Sequence, residues 1–157
     1  MEIAYLNTPI GTLKIEGSKE GVAAIMFTEE TIPTTTVIPE TLKIPIQQLT
    51  EYFNKTRTEF NLLLAPEGTE FQQKVWTALQ TIPFGKTASY QQMANMLGNP
   101  KVIRAAASAN GKNPISIVIP CHRVIGSDGS LTGYAGGLHR KKWLLAHESP
   151  VKQGELF

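Results

Sequence analysis

The 157-residue chain has very little cysteine and very little aspartate. Cys121 is the single cysteine, which excludes an intrachain disulfide and a zinc site built from several cysteines. Asp128 is the single aspartate and lies in Gly126-Ser127-Asp128-Gly129, a sequence typical of a turn. Catalysis by paired aspartates is therefore excluded, and one unpaired thiol fits a reducing compartment.

Long apolar runs and nucleotide-binding motifs are also missing. No apolar run approaches the length of a transmembrane helix, and the first residues lack the basic and apolar regions of a signal peptide. The chain contains no G-x-x-x-x-G-K-[ST] phosphate loop and no G-x-G-x-x-G dinucleotide fingerprint. His122, His139 and His147 are not spaced as metal ligands. We expect a soluble cytoplasmic protein that uses no membrane and no metal.

The charge divides the chain into two halves. Residues 1–67 hold five Lys or Arg and nine Glu, a net charge of −4, whereas residues 68–157 hold ten Lys or Arg and four acids, a net charge of +6. An acidic half joined to a basic half predicts two modules, of which the basic one faces an anion such as nucleic acid. Ordinary surface solvation explains the same asymmetry, so this interpretation depends on a motif.

The first half has the pattern of a small antiparallel sheet. Met1–Leu6, Gly11–Gly17 and Gly21–Thr28 are short, β-branched and bounded by turn residues, which predicts three strands. Pro45–Lys55 carries apolar residues at helical spacing. The sequence Ala65-Pro66-Glu67-Gly68 favours a domain boundary, with domains at 1–67 and 68–157.

The second half is mainly helical. Two short helices joined by a Gly98-Asn99-Pro100 turn are typical of a helix-turn-helix, and the strand and Gly-rich region 126–137 that follow indicate a winged helix. The predicted elements are a helix capped by Thr69 and ending near Gln80, the helices Tyr90–Leu97 and Lys101–Asn110, a strand Ile115–Ile119, and a last helix Leu138–Glu148.

The helix after the turn offers few groups that read bases. Its sequence from Arg104 to Ala109 is rich in alanine, and small side chains allow the backbone to approach a groove closely. This predicts contacts with phosphates and the minor groove, with little sequence preference. Alanines also simply favour a well-packed helix, so both explanations stay open.

The single thiol lies in Pro120-Cys121-His122-Arg123-Val124. Neighbouring positive charge stabilises a thiolate, which makes Cys121 a candidate nucleophile. A free cysteine is equally often a small buried apolar side chain. These five residues alone fit both interpretations. Arg123 is interpreted as structural, pairing with backbone carbonyls.

Eight ordered blocks carry a resemblance that covers residues 70–148 almost continuously. The blocks are Ile82-Pro83-Phe84-Gly85, Ser89-Tyr90-Gln91-Gln92, Gly98-Asn99-Pro100, Arg104-Ala105, Asn113-Pro114, Ile119-Pro120-Cys121-His122-Arg123-Val124, Gly133-Tyr134-Ala135-Gly136-Gly137 and Lys142-Trp143-Leu144-Leu145-Ala146-His147-Glu148. In them the chain resembles the O6-alkylguanine-DNA alkyltransferases, or methylated-DNA–protein-cysteine methyltransferases. The resemblance implies an α/β (α+β) fold, with a small ribonuclease H-like antiparallel-sheet domain over 1–67 and a winged-helix DNA-binding and alkyltransferase domain over 68–157.

The resemblance implies direct-reversal DNA repair by a monomer. Double-stranded DNA that contains O6-alkylguanine is the implied partner, with O4-methylthymine as a further candidate, bound through the minor groove. The damaged base flips out of the stack, and Cys121 takes its alkyl group once and irreversibly. No cofactor is required.

The resemblance also assigns catalytic roles. Cys121 is the nucleophile and methyl acceptor, His122 its base or proton relay, and Glu148 the carboxylate that orients the histidine. Asn113 braces the active-site turn, and Tyr90 donates a hydrogen bond to the flipped base.

Pocket and DNA contacts follow from the same resemblance. Arg104 enters the duplex and fills the vacated space. The carbonyls of Cys121 and Val124 accept from the guanine amino group, and Tyr134 forms an apolar wall. Ala135 stands where many members have a serine, whose hydroxyl lies near the O6 oxygen. In this chain only the backbone amide of Ala135 is available there. The remaining implied contacts are the pocket residue Gly136 and the DNA-facing residues Ser89, Tyr90, Ala105 and Ser108.

Three alternative functions compete with repair. Proteins that bind alkylated DNA without repairing it have another residue in place of the reactive cysteine. The presence of Cys121 therefore argues against this function. A transcriptional regulator conflicts with the alanine-rich helix. A cysteine hydrolase conflicts with the adjacent Cys121 and His122, which do not easily face each other across a cleft.

Overall fold

The computed structural model describes residues 1–150, which form two compact units. The first unit comprises residues 1–67 and 114–116, and the second comprises 68–113 and the residues from 117 onward. The first contains an antiparallel sheet and the second is mainly helical. The predicted mixed α/β class, with a small N-terminal sheet, is therefore confirmed.

The sheet of the first unit follows from alternating apolar residues. Strands β1 (Glu2–Thr8), β2 (Gly11–Ser18) and β3 (Gly21–Thr28) pair antiparallel in the order β1-β2-β3. Leu13 and Ile15 of β2 are buried on one face, as the two-residue period of a strand requires. After a 3-10 turn at Glu40–Leu42, helix α1 runs over Lys43–Phe53.

Both edges of this sheet are covered by short segments. On β1, the Tyr5 N–H donates to the Thr35 hydroxyl and the Thr35 N–H donates to the Tyr5 carbonyl. On β3, Val22 exchanges hydrogen bonds with residues 63 and 65, and Ile25 with residues 114 and 116. An exposed edge would otherwise leave unpaired N–H and C=O groups.

The predicted strand Ile115–Ile119 is wrong. Only Ile115 forms an isolated bridge, with Ile25, and residues 116–119 form turns and a bend. Ile117 has φ of 74°, a left-handed conformation that a β-branched residue rarely adopts. The run is apolar because Ile115, Ile117 and Ile119 are all fully buried, which a compact turn achieves as well as a strand.

The helices of the second unit begin and end at local signals. Thr69 and Ser89 each cap a helix through a reciprocal pair of hydrogen bonds with a glutamine three residues later. The first of these helices ends close to the predicted Gln80, and the second ends just before Gly98, which has φ of 84°. The elements are α2 (Glu70–Leu79), β4 (Ala88–Ser89), α3 (Tyr90–Met96), a 3-10 turn Pro100–Val102, α4 (Ile103–Gly111), a 3-10 turn Cys121–Arg123, β5 (Val124–Ile125) and α5 (Leu138–Glu148).

A short parallel pair positions two motifs beside each other. In it Ala88 of β4 faces Val124 of β5, and Ser89 faces Ile125. Because α3 begins directly after β4 and the Cys121 turn ends directly before β5, the N-terminus of α3 lies beside the cysteine motif.

Within residues 1–150, no helix is both long enough and apolar enough to span a membrane. In the same part of the chain, no three His, Cys, Asp or Glu side chains cluster as metal ligands would. The absence of a bound metal remains a prediction.

Candidate active site

Cys121 opens a single 3-10 turn directly after Pro120. Its N–H donates to the Ile119 carbonyl at 2.8 Å, and its side chain is almost fully buried, with 5% exposure for the residue. Burial raises the pKa of the Cys121 thiol, and a hydrogen bond with Asn113 and the positive charge of Lys141 offset part of that rise. The thiol therefore needs a base to become a thiolate near neutral pH.

Asn113 follows α4 and connects the end of that helix to the cysteine turn. Its side-chain Nδ2 donates to the Ile119 carbonyl at 2.8 Å, and the residue is buried. A buried amide that bonds the backbone two residues before Cys121 is suited to hold the turn in place. This geometry supports the bracing role predicted for Asn113.

His122 and Glu148 form a buried pair. His122 Nε2 lies 2.8 Å from Glu148 Oε2, and the His122 side chain is fully buried. An ionised carboxylate only accepts hydrogen bonds, so Nε2 carries the proton and donates it. In the neutral ring Nδ1 is then an acceptor, and within residues 1–150 this buried atom has no hydrogen-bond partner. His122 thus offers a base at Nδ1.

Arg123 binds the same carboxylate. Its Nε donates to Glu148 Oε1 at 2.7 Å and its Nη2 to Oε2 at 3.0 Å, while Nη1 donates to the Ile82 carbonyl at 2.7 Å. Burial alone would raise the pKa of Glu148, but the charges and hydrogen bonds of His122 and Arg123 lower it to about 2. Glu148 is therefore ionised throughout the neutral range.

The Arg123 prediction holds only in part. The side chain does pair with one backbone carbonyl, that of Ile82, but its bidentate partner is Glu148. Arg123 and Glu148 are 25 positions apart in the chain, so no local pattern relates them. A carboxylate at the C-terminal end of a helix, where the helix dipole disfavours it, is the sequence signal for a distant cation.

Lys141 is a component of the site that the sequence interpretation missed. The residue has 0% exposure, and its Nζ donates to the carbonyls of Val124 and Thr132, at 2.6 Å each. Burial lowers the pKa of Lys141 to about 8. Helical periodicity contains the missed signal, because Lys141, Leu144 and Glu148 lie on one face of α5, and all three are buried.

Tyr90 lies at the start of α3, half-buried beside Lys141. The Lys141 Nζ is 6.0 Å from the centroid of the Tyr90 ring, and the Thr132 hydroxyl donates to the Tyr90 hydroxyl at 3.4 Å. The pair Ala88 with Val124 holds this helix start next to the cysteine motif. The structure thus brings Tyr90 and Val124 to one place, as Lys141 contacts both.

The other predicted pocket residues lie in the loop 126–137. Tyr134 is half-buried and Ala135 is exposed. The Tyr134 carbonyl accepts from the Gly137 N–H at 2.9 Å, and the Gly136 carbonyl accepts from Arg140 Nη1 at 3.0 Å. These bonds close the loop onto the first turn of α5.

Apart from Tyr90, the predicted DNA-facing residues lie outside this network. Arg104, Ala105 and Ser108 are exposed on one face of α4, while Ala106 and Ala109 on the opposite face are buried. Ser89 is half-buried and caps α3 through a hydrogen bond from the Gln92 N–H. The alanines of α4 thus serve both for packing and for a smooth outer surface.

Two family models match this chain. The model for the 6-O-methylguanine DNA methyltransferase DNA-binding domain matches residues 70–150, and the model for the ribonuclease-like domain of the same family matches residues 1–66. Together they span nearly all of the described residues, including every residue of the site.

Individual relatives agree with the family models. Two proteins named methylated-DNA–protein-cysteine methyltransferase, from Mycolicibacterium paratuberculosis and Methanosarcina acetivorans, are each 44% identical to this chain over 94% of its length, covering 92% and 98% of the relatives. A crystal structure of Mycobacterium tuberculosis OGT in complex with DNA has a TM-score of 0.83 and 43% identity, covering 94% of this chain and 93% of that one. The chain therefore belongs to the family of 6-O-methylguanine DNA methyltransferases.

Proposed function

We propose that this protein repairs DNA by transferring the alkyl group of O6-alkylguanine to Cys121, once per molecule and irreversibly. The observation that carries the proposal is the buried pair of His122 and Glu148 directly after the buried thiol of Cys121, in a member of this methyltransferase family. Two relatives at 44% identity are named methylated-DNA–protein-cysteine methyltransferase, and another relative was crystallised in complex with DNA. Both findings support alkylated DNA as the substrate.

The transfer begins with removal of the thiol proton. His122 Nδ1 accepts it, directly or through a water molecule, while Glu148 stabilises the positive charge that forms on the ring. Arg123 keeps Glu148 ionised, so the carboxylate does not take the proton itself. This arrangement supplies a thiolate although burial disfavours one.

The thiolate then displaces guanine. A bond forms between the Cys121 sulfur and the alkyl carbon, and the bond from that carbon to O6 breaks, with its electron pair going to guanine. Guanine takes up one proton, which balances the proton that His122 removed from the thiol, so the products are unmodified guanine and a thioether. Restoring the thiol would require the thioether to expel the Cys121 thiolate, which is a poor leaving group, so the protein acts only once. The reaction needs no cofactor, because the DNA supplies the alkyl group.

The remaining residues have roles in binding the base and the DNA. Tyr90 donates a hydrogen bond to the flipped base, and Val124 offers its carbonyl to the guanine amino group. A carbonyl oxygen has two lone pairs, so this role is compatible with the bond from Lys141. The wall and rim of the pocket consist of Tyr134, Ala135 and Gly136.

The exposed face of α4 is our proposed DNA surface. Arg104 enters the duplex, and Ala105 and Ser108 lie against the minor groove, with Ser89 at the start of α3. The two helices α3 and α4 act as a helix-turn-helix. The net charge of +6 over residues 68–157 supports binding to the phosphate backbone.

The domains and the setting complete the proposal. Residues 68–157 carry DNA binding and transfer, and residues 1–67 form a structural domain. We propose that the protein is a monomer and that it acts in the cytoplasm. The cytoplasmic setting is supported by the single free cysteine, which fits a reducing compartment.

Mass spectrometry of the intact protein and its peptides tests the function. The protein is mixed with an excess of duplex DNA that contains O6-methylguanine, and Cys121→Ser serves as the control. We expect one added methyl group per molecule, located on Cys121, and none on the variant.

Two results would contradict the proposal. An unmodified Cys121 under conditions where the protein binds that DNA would leave a damage sensor. Repeated turnover of an acyl substrate would instead indicate a hydrolase.

A further inference from the structure

Lys141 is a buried charge that takes up no proton and no alkyl group in the proposed transfer, although its positive charge offsets part of the rise that burial causes in the pKa of the Cys121 thiol. Its side chain is completely buried within α5, although lysine is almost never buried unless it is paired. Its ammonium has backbone carbonyls as partners, at 2.6 Å to Val124, 2.6 Å to Thr132 and 3.5 Å to Gly133. Burying an ammonium is costly, so these bonds must supply something that an apolar residue would not.

The carbonyls belong to two segments of the site. Val124 follows Cys121 by three residues, and Thr132 and Gly133 lie in the middle of the loop 126–137. The loop forms its own turns at its ends, where the Gly126 N–H donates to the Ser130 carbonyl and the Gly137 N–H to the Tyr134 carbonyl. Lys141 therefore holds the middle of the loop to the strand that follows the nucleophile.

Tyr90 brings a third segment to the same ammonium. The ring centroid lies 6.0 Å from Nζ, a distance at which a cation and an aromatic ring attract each other. Thr132, whose carbonyl accepts from Lys141, also donates its hydroxyl to Tyr90 at 3.4 Å. The start of α3, strand β5 and the loop thus meet at one buried charge.

We propose that Lys141 is a positioning residue, whose ammonium holds the loop 126–137 and the Tyr90 hydroxyl in fixed positions relative to Cys121. The inference rests on the proposed function, because what these segments position is the base to be repaired. A misplacement of about 1 Å lowers the rate of a reaction by up to about 10²-fold. Loss of Lys141 should therefore slow transfer from bound DNA without weakening the binding of undamaged duplex.

The first experiment compares three variants with the wild type. Lys141→Met keeps the length and removes the charge, Lys141→Arg keeps the charge, and Lys142→Met changes the exposed neighbour as a control. Single-turnover rates with saturating O6-methylguanine DNA are measured together with the Kd for undamaged duplex. We expect Lys141→Met to lower the maximal rate by on the order of 10-fold to 10²-fold at unchanged Kd, with partial rescue by Lys141→Arg.

Hydrogen exchange reports directly on the loop. Peptides that cover residues 126–137 should exchange faster in Lys141→Met than in the wild type or in Lys142→Met, and Lys141→Arg should restore protection. A merely stabilising lysine would raise exchange throughout the fold instead. A folded Lys141→Met with unchanged exchange in the loop and an unchanged rate would overturn the proposal.

Chemical labelling tests the wild type, in case Lys141→Met does not fold. Brief acetylation with acetic anhydride should modify Lys142 and leave Lys141 unmodified, and modification of Lys141 at the same rate would overturn the proposal. The wild-type methylation assay separates this failure from failure of the proposed function. A wild type that methylates Cys121 while the Lys141 variants transfer equally fast refutes only the role of Lys141.

Discussion

Glu148 is the residue on which the two side chains after Cys121 converge. Both of its oxygens are within 3.0 Å of a nitrogen of Arg123, and one of them is also 2.8 Å from His122. One carboxylate thus orients the base and neutralises a buried guanidinium. Removing it leaves a buried cation unpaired, which is among the costlier single changes in a protein.

Replacement of Glu148 by glutamine should destabilise the fold and slow transfer. The pKa of Glu148 falls from 4.5 to about 2 on folding, which corresponds to about 3 kcal/mol of stability at neutral pH. A carboxyl group whose pKa is lower in the folded protein stabilises the fold at pH values above its unfolded pKa. The contribution of Glu148 is therefore lost as the pH falls from 4.5 toward 2. Urea unfolding at several pH values should show wild type and Glu148→Gln converging in acid, and single-turnover assays should show slower transfer.

Glu67→Gln is the matched control, because Glu67 is exposed. It should change neither stability nor transfer. A stability difference between wild type and Glu148→Gln that stays constant from neutral pH to pH 2 would argue against an ionised Glu148 as the cause.

The helices of the second unit depend strongly on their first residues. Both α2 and α3 begin with a capping box, in which a hydroxyl accepts from the third N–H and a glutamine accepts from the cap N–H. Four N–H groups at a helix start have no partner within the helix, so each cap replaces a bond that water would otherwise make. Because these bonds join residues only three positions apart, the starts of both helices can be predicted from the sequence.

Thr69→Ala should remove the cap of α2 and cost about 1 kcal/mol of stability. Thr77→Ala, at an exposed position inside the same helix, is the control and should be neutral or slightly stabilising, because alanine is the better helix former. Urea unfolding measures both changes. Equal stabilities of the two variants would show that the capping box contributes nothing, and the transfer rate of folded Thr69→Ala should match the wild type.

The whole molecule carries its charges unevenly, with a net of −4 over residues 1–67 and +6 over residues 68–157. Phosphate contacts release counterions from DNA, so binding through the basic part should weaken steeply as salt rises. The exposed face of α4 contributes one cation, Arg104, among small side chains. Binding that depends on charge and shape should then vary little with base sequence.

Arg104→Ala should weaken binding to every duplex sequence by a similar factor. Loss of one cation should also reduce the slope of log affinity against log salt by about 1. Lys19→Ala, which removes an exposed cation from the acidic half, is the control. Fluorescence anisotropy at several salt concentrations measures both, and an equal effect of Lys19→Ala, or an effect restricted to one sequence, would contradict the assignment of the DNA surface.

Most helices and strands could be predicted from residues that lie close together in the sequence. The last helix lies over Leu138–Glu148 as predicted, and the predicted cap Thr69 starts α2. For α3 the sequence offers Thr87 or Ser89 as the cap, and the structure has Ser89. Short β-branched segments bounded by turn residues located all three N-terminal strands within two residues of their ends. The run 115–119 was misjudged because an apolar β-branched segment satisfies a buried turn as well as a strand.

What the sequence by itself determined was the composition of the site: one thiol, one adjacent histidine and a family pattern around them. Only the tertiary structure decided that Arg123 shares Glu148 with His122 and that Lys141 is buried against the carbonyls of Val124 and Thr132. Caps and strands depend on residues a few positions apart, which a sequence displays directly. These buried charges depend on partners 9 to 26 positions away, and only the packed chain brings those partners within hydrogen-bond distance.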